Sequence, residues 1–196
     1  MRTFAATWLV AGLLTPVAVS AQWGVAAEIG VARFGGSSRD TTGTTVGPYR
    51  PTTLELRLDR ALGSTRVAVA VLHAKTGLAG ERPDLAVVQY DVASLWEIAP
   101  QLSVRVARFG VGVDARLEAG PAVQWWRVDG DGRTRVAARG TAALEWPLAR
   151  GLTGSLRVSG LVSGSVFNAG ETPEGVELHA TRRFGVAIGA RYRLKG

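Results

Sequence analysis

From residue 22 onward the apolar residues of this chain recur at every second position, segment after segment, and almost nowhere at the spacing of a helix face. A β-strand turns successive side chains to opposite faces, so this period predicts two-faced strands throughout. Eight such segments can be read, punctuated by Gly, Pro and Asp. The first, 22–34, sets Trp23, Val25, Ala27, Ile29 and Val31 against Gly24, Ala26, Glu28 and Gly30. The second, 52–60, sets Leu54, Leu56 and Leu58 against Glu55, Arg57 and Asp59, and the third opposes Val67, Val69 and Val71 to Arg66, Ala68 and Ala70. The fourth keeps one parity from Val88 to Val106, with Tyr90, Trp96 and Ile98 opposite Asp91, Glu97, Gln101 and Arg105. Pro100 brings no ladder donor and marks a break point in it. The fifth, 111–128, opposes Val113, Leu117, Val123 and Trp125 to Asp114, Arg116, Glu118 and Gln124. The sixth opposes Val136, Leu144 and Trp146 to Arg135, Arg139 and Glu145, and the seventh Leu156, Val158 and Val162 to Ser155, Arg157 and Ser159. The eighth, 184–194, opposes Phe184, Val186, Ile188, Tyr192 and Leu194 to Gly185, Ala187, Gly189, Arg191 and Arg193.

The connections alternate in character. Segments 35–51, 75–84 and 168–175 are long or polar, 61–64, 107–110 and 147–151 are tight, and 129–133 is a short hairpin at the long-loop end. An even number of strands with short turns at one end and longer loops at the other is how transmembrane barrels are built. A soluble eight-stranded carrier alternates in the same way but hides its apolar face inside. Three features turn the apolar face outward here. The polar face is crowded with Gly, Ala and Ser, which suits the narrow interior of eight strands. Its charges nearly balance: Glu28, Glu55, Asp59, Asp91, Glu97, Asp114, Glu118 and Glu145 stand with Arg57, Arg66, Arg105, Arg116, Arg135, Arg139, Arg157, Arg183, Arg191 and Arg193. Enclosed charges need partners, and guanidinium groups supply them in pairs of bonds. Finally, Trp23, Trp146 and Tyr192 fall at one rim and Tyr90, Trp125 and Phe184 near the other, as two aromatic belts. The expected fold is all-β, an eight-stranded antiparallel up-and-down transmembrane β-barrel, monomeric.

The amino end agrees with an exported protein. Arg2, the apolar run 4–14, Pro16 and the small residues Val19-Ser20-Ala21 form a secretory signal, so 1–21 is expected to be removed and 22–196 to form the barrel domain. That run is short of the roughly 20 residues of a spanning helix. The chain has no Cys, which excludes disulfides and thiolate sites. Its net charge is +7, almost all from Arg, the lysines being Lys75 and Lys195. With no lysine-rich run, zinc pattern or basic helix, the expected partners are anionic lipid headgroups and not nucleic acid.

With these segments in this order, the chain resembles the small eight-stranded outer-membrane proteins of the OmpA/OmpX type in Gram-negative bacteria. The likeness spans 22–196 as a pattern, and its local motif is the ending. Gly189, Tyr192 and Leu194 match the Gly-x-x-aromatic-x-apolar signal that such proteins present to the barrel-assembly machinery, although Lys195 and Gly196 follow where the family usually ends on an aromatic residue. The resemblance implies an outer-membrane location, with outer-membrane lipid and lipopolysaccharide as surroundings. It also raises an activity, because some barrels of this architecture modify lipid A. His73 falls on the lipid face, but Ala74 and Lys75 beside it offer no hydroxyl. His179 and Thr181 resemble the His-x-Ser of the deacylase barrels with Ser replaced, yet parity turns both inward, away from lipid.

The remaining motifs are structural. Asp129-Gly130-Asp131-Gly132 lacks the downstream Glu of a calcium loop and reads as a hairpin turn. Gly24, Gly30, Gly35 and Gly36 open no helix, and no His or acid cluster has metal-ligand spacing, so no cofactor is expected. Solute pores belong to barrels of about 16 strands. The expected function is therefore non-enzymatic: a barrel filled by its own side chains, acting in membrane integrity or through outer loops such as 35–51, whose ligand the sequence does not name. A lipid A modifying enzyme and a soluble periplasmic lipocalin-like carrier of an apolar ligand are the alternatives.

Overall fold

The computed structural model describes residues 22–35, 38–39, 45–49, 51–81, 86–110, 112–128, 130–165 and 180–194. Its strands are β1 (Gln22–Gly35), β2 (Ser38–Arg39), β3 (Thr45–Tyr49), β4 (Thr52–Leu62), β5 (Thr65–Glu81), β6 (Ala86–Phe109), β7 (Val113–Val128), β8 (Asp131–Ala149), β9 (Leu152–Ser163) and β10 (Thr181–Arg193). All pairings are antiparallel. They run β5-β4-β1-β10-β9-β8-β7-β6, and β5 pairs with β6 to close the ring. Eight strands thus form a barrel with no open edge, while β2 and β3 extend the ladder at the far end of β5. The expected signal segment 1–21 and the loop 168–175 lie outside the described residues.

The turns at one end are as tight as the sequence predicts. Leu62 pairs with Thr65 and Ala149 with Leu152, across Gly63 at φ +66° and Gly151 at φ +81°, a region that L side chains rarely adopt. The other end departs from expectation in two places. Residues 75–81, read as loop, continue β5 and pair with β6 as far as Glu81 opposite Ala86, after an irregularity between Thr76 and Leu78. The long connection 35–51 contains β2 and β3.

Strand β6 is also unbroken. Pro100 stands at the register level of Pro121, so two residues without N–H groups face each other where the β6–β7 ladder lapses between Ile98↔Val123 and Leu102↔Ala119. The β6 backbone passes close to Gly120 there, and a Cβ on Gly120 would overlap the Pro100 carbonyl.

Burial follows the period of two. Along β4 and β8 exposed and buried residues alternate, and the exposed set is the apolar one: Leu56 is 62% and Val136 72% exposed. The buried set is mostly charged, polar or small, including Glu28, Glu97, Arg116 and Ala70, with Leu72, Leu95, Trp126 and Leu161 as its large apolar members. A barrel with its charges inside and a continuous apolar wall outside is inverted relative to a protein that faces water. No helix among the described residues is long and apolar enough to cross a membrane.

Candidate functional site

The lumen is where the sequence concentrates its charge. At the tight-turn end, Arg108 Nε donates to Asp114 at 2.8 Å, with Arg105 3.6 Å from the same carboxylate. Arg191 clasps Asp59 through Nε and Nη2 at 2.8 and 2.6 Å. Arg116 donates to Ser103 Oγ at 2.9 Å and to the Ser64 carbonyl at 3.0 Å. At mid-height Glu118 accepts Arg57 Nη1 on both oxygens, at 3.0 and 3.1 Å, and accepts Arg157 as well. Arg157 Nε reaches Glu28 at 2.7 Å, and Arg66 Nη1 donates to both oxygens of Glu145 at 2.8 Å. Nearer the loop end, Glu97 accepts Arg183 at 2.8 Å, Arg139 at 3.2 Å and Gln124 at 2.8 Å, while Arg139 also donates to Glu55 at 2.6 Å.

The bonds of Arg57, Arg139, Arg157, Arg183 and Arg191 join strands that are not neighbours, such as β4 to β7, β9 to β7 and β10 to β6, whereas Asp114 and Gln124 are bonded across the β6–β7 seam. Those five arginines act as struts across the lumen, and buried carboxylates that would be prohibitive alone are held in multiply bonded clusters. The space left among Glu28, Glu55, Arg139, Arg157 and Arg183 is about 20 Å³, room for a water molecule but not for a solute. Toward the loop end the lumen turns apolar. Leu72, Leu95 and Trp126 are buried together with Ala74 and Ala93, and Phe34 meets Trp126 edge-on at 5.4 Å. Trp126 Nε1 donates to Gln124 at 3.4 Å, which ties this layer to the Glu97 cluster.

The structure brings most of the expected interior residues into this network and leaves a few out. Arg66 and Arg105 belong to it through Glu145 and Asp114 although they are only partly buried. Arg135 is partly buried near the loop end and donates to backbone carbonyls of Thr134 and Ser165. Arg193 is a correction: its parity is inward, but it lies past the Arg191–Asp59 pair at the rim and is exposed. The side chain of Asp91 is outside the described residues. Sequence reasoning missed the apolar layer altogether. Holding the parity of the fifth segment one step past Gln124 would have put Trp126 inside.

No protein-family model matches the sequence, and no curated protein is similar to it in sequence. Among solved structures, the chain is similar to neisserial surface protein A: the two align over 88% of this chain and 97% of that one, with a TM-score of 0.59 at 11% identity. The fold is that of the small outer-membrane β-barrels. This barrel also aligns with the N-terminal β-barrel domain of Pseudomonas aeruginosa OprF (TM-score 0.46, 13% identity, 87% of this chain and 99% of that one). It aligns more loosely with the outer-membrane enzyme PagL (TM-score 0.37, 14% identity, 83% and 97%). Likenesses this distant carry no argument about activity.

On the outside of the barrel the belt residues are placed as follows. At the tight-turn rim Tyr192 is exposed, Trp23 is partly buried with the Arg60 guanidinium 5.6 Å from its ring centre, and Trp146 is partly buried over Gly154. At the loop-end rim Trp125 and Phe184 are exposed, and the Tyr90 side chain is outside the described residues. Trp96, adjacent to Trp125 in register, also faces out. Gly189 pairs with Glu28, and a Cβ there would crowd the Glu28 side chain and the Ala27 carbonyl, so the barrel itself requires a glycine at this position. Tyr192 and Leu194 point outward beyond it.

His73 faces outward and stacks on Trp96 with ring centres 4.4 Å apart. Its chain neighbours Ala74 and Lys75 carry no hydroxyl, but Ser94, on the neighbouring strand one step beyond Trp96, lies diagonal to it. The imidazole Nδ1 nonetheless makes no hydrogen bond, and the ring is engaged by the indole instead. His179 is outside the described residues, and Thr181 is buried. Among the described residues no group of His, Asp and Glu is arranged to hold a metal.

Proposed function

We propose that this chain is exported, loses 1–21 and resides in a bacterial outer membrane as a non-enzymatic barrel that acts at its loop end or by stabilising the membrane. In this reading Gly189, Tyr192 and Leu194 engage the barrel-assembly machinery before Gly189 settles against Glu28. The observation that carries the reading is the lumen, whose arginines and acids are spent on one another and roofed by the layer around Trp126. A conduit needs free polar surface along its length, and a carrier needs an apolar cavity inside. Charges fill the place where either would be. The exposed apolar wall supports a lipid environment, since in water it would be an aggregation surface. The β5–β6 hairpin and the added β2 and β3 support a surface role, because they build extra ladder at the loop end.

Reconstituted into planar bilayers, the protein is expected to give no steady single-channel current. Lipid A from cells with and without it should have the same mass spectrum. A steady current would make it a pore. A lipid A mass change that disappears with His73→Ala or His179→Ala would make it an enzyme.

A further inference from the structure

We propose that the outward face of β5, β6 and β7 near the loop end is a binding site for the phosphorylated glycolipid headgroup of lipopolysaccharide; this rests on the outer-membrane reading. Three consecutive rows of side chains, in register across these strands, carry the inference. The outermost is Lys75, Ser94 and Arg127, the next His73, Trp96 and Trp125, and the third Val71, Ile98 and Val123. Successive rows on one face are two residues, or about 7 Å, apart along the strand.

The chemical order of the rows matches the order of groups in such a lipid. Aromatic residues on a barrel wall settle at the level of the headgroups. Trp96 and Trp125 are 50% and 41% exposed on the membrane side of the barrel, a flat surface for sugar rings. The aliphatic row toward the membrane centre meets acyl chains. The cationic row one step outward is then at phosphate depth. Lys75 and Arg127 are exposed on either side of Ser94, their backbones about 10 Å apart across the middle strand. Both side chains are long enough to converge on one anion above the Ser94 hydroxyl. No acid among the described residues is bonded to either of them, in contrast to the arginines of the lumen. Longer loops mark the outer side of such barrels, so the leaflet that meets this face is the one that holds lipopolysaccharide.

A second outward pair at the same end, Arg33 and Arg182, provides a charge-matched comparison. Arg33 stands in register with Phe184 and above Val31, with no indole platform beneath.

The test uses the full chain refolded into phosphatidylcholine vesicles and titrated with lipopolysaccharide. The double variant Lys75→Gln/Arg127→Gln is expected to bind about tenfold more weakly. Arg33→Gln/Arg182→Gln should lose less, and dephosphorylated lipopolysaccharide should bind the first variant and the unaltered protein alike. Equal losses in the two double variants would show a diffuse positive field and overturn the site. So would phosphatidylglycerol vesicles competing as well as lipopolysaccharide at equal charge, or unchanged binding by Lys75→Gln/Arg127→Gln. Failure of the unaltered chain to insert into vesicles would instead overturn the outer-membrane reading, and the site with it.

Discussion

Replacing Arg157 with Leu is expected to destabilise the folded barrel by about 3–5 kcal/mol, the usual consequence of stranding the partners of a buried ion pair. Arg157 is buried, and it joins Glu28 at 2.7 Å, Glu118 through two nitrogens and Glu145 at 3.5 Å. Without it Glu28 keeps Arg57 only at 3.9 Å, and Arg57 is already committed to Glu118. Equilibrium unfolding in urea from lipid vesicles would read the change as a lower midpoint. Arg157→Lys should recover only part of the loss, because an ammonium is a point charge and cannot bridge three carboxylates as the planar fork does.

One residue away the opposite substitution should fail for a different reason. Leu156→Arg places a charge on the outer wall, in a belt formed by Leu144, Leu156, Ile188, Ile29 and Leu54 in register across five strands. On the lipid face of a membrane barrel this costs about 2–4 kcal/mol near the midplane. On a water-facing surface the same change would be neutral or would improve solubility. The sign of the effect in the same unfolding measurement therefore reports which solvent the wall meets.

The eight strands and their two faces could be read from the sequence because the period of two is imposed by backbone geometry and survives without knowledge of any partner. Parity also selected Glu118, Arg157 and Glu97 as interior residues. It could not pair them, because Arg57 and Glu118 lie 61 positions apart and Arg191 and Asp59 132 apart, and what brings them to one height is the register around the whole ring. For the same reason parity placed Arg193 inside, when its height along β10 carries it out to the rim. The diagonal placement of Ser94 to His73 is a register fact of the same kind. Residues 75–81 misled in another way. Their Gly and polar residues are loop-like by composition, yet the hairpin ladder with β6 holds them extended through backbone bonds that do not depend on side-chain type. Pro100 taken by itself reads as a break, because it lacks a ladder donor. Its counterpart Pro121 and the bare Gly120 are what let the strand run on.

The central claim is that the apolar wall faces lipid and the charged face is sealed inside. Because the chain has no Cys, a single cysteine at Ile188, in the middle of that belt, would carry a unique nitroxide label. With the protein in lipid vesicles, collision with dissolved oxygen should be frequent and collision with a water-soluble nickel chelate rare, the signature of the hydrocarbon region. A label at residue 188 that is open to the nickel chelate in a folded protein would contradict the account.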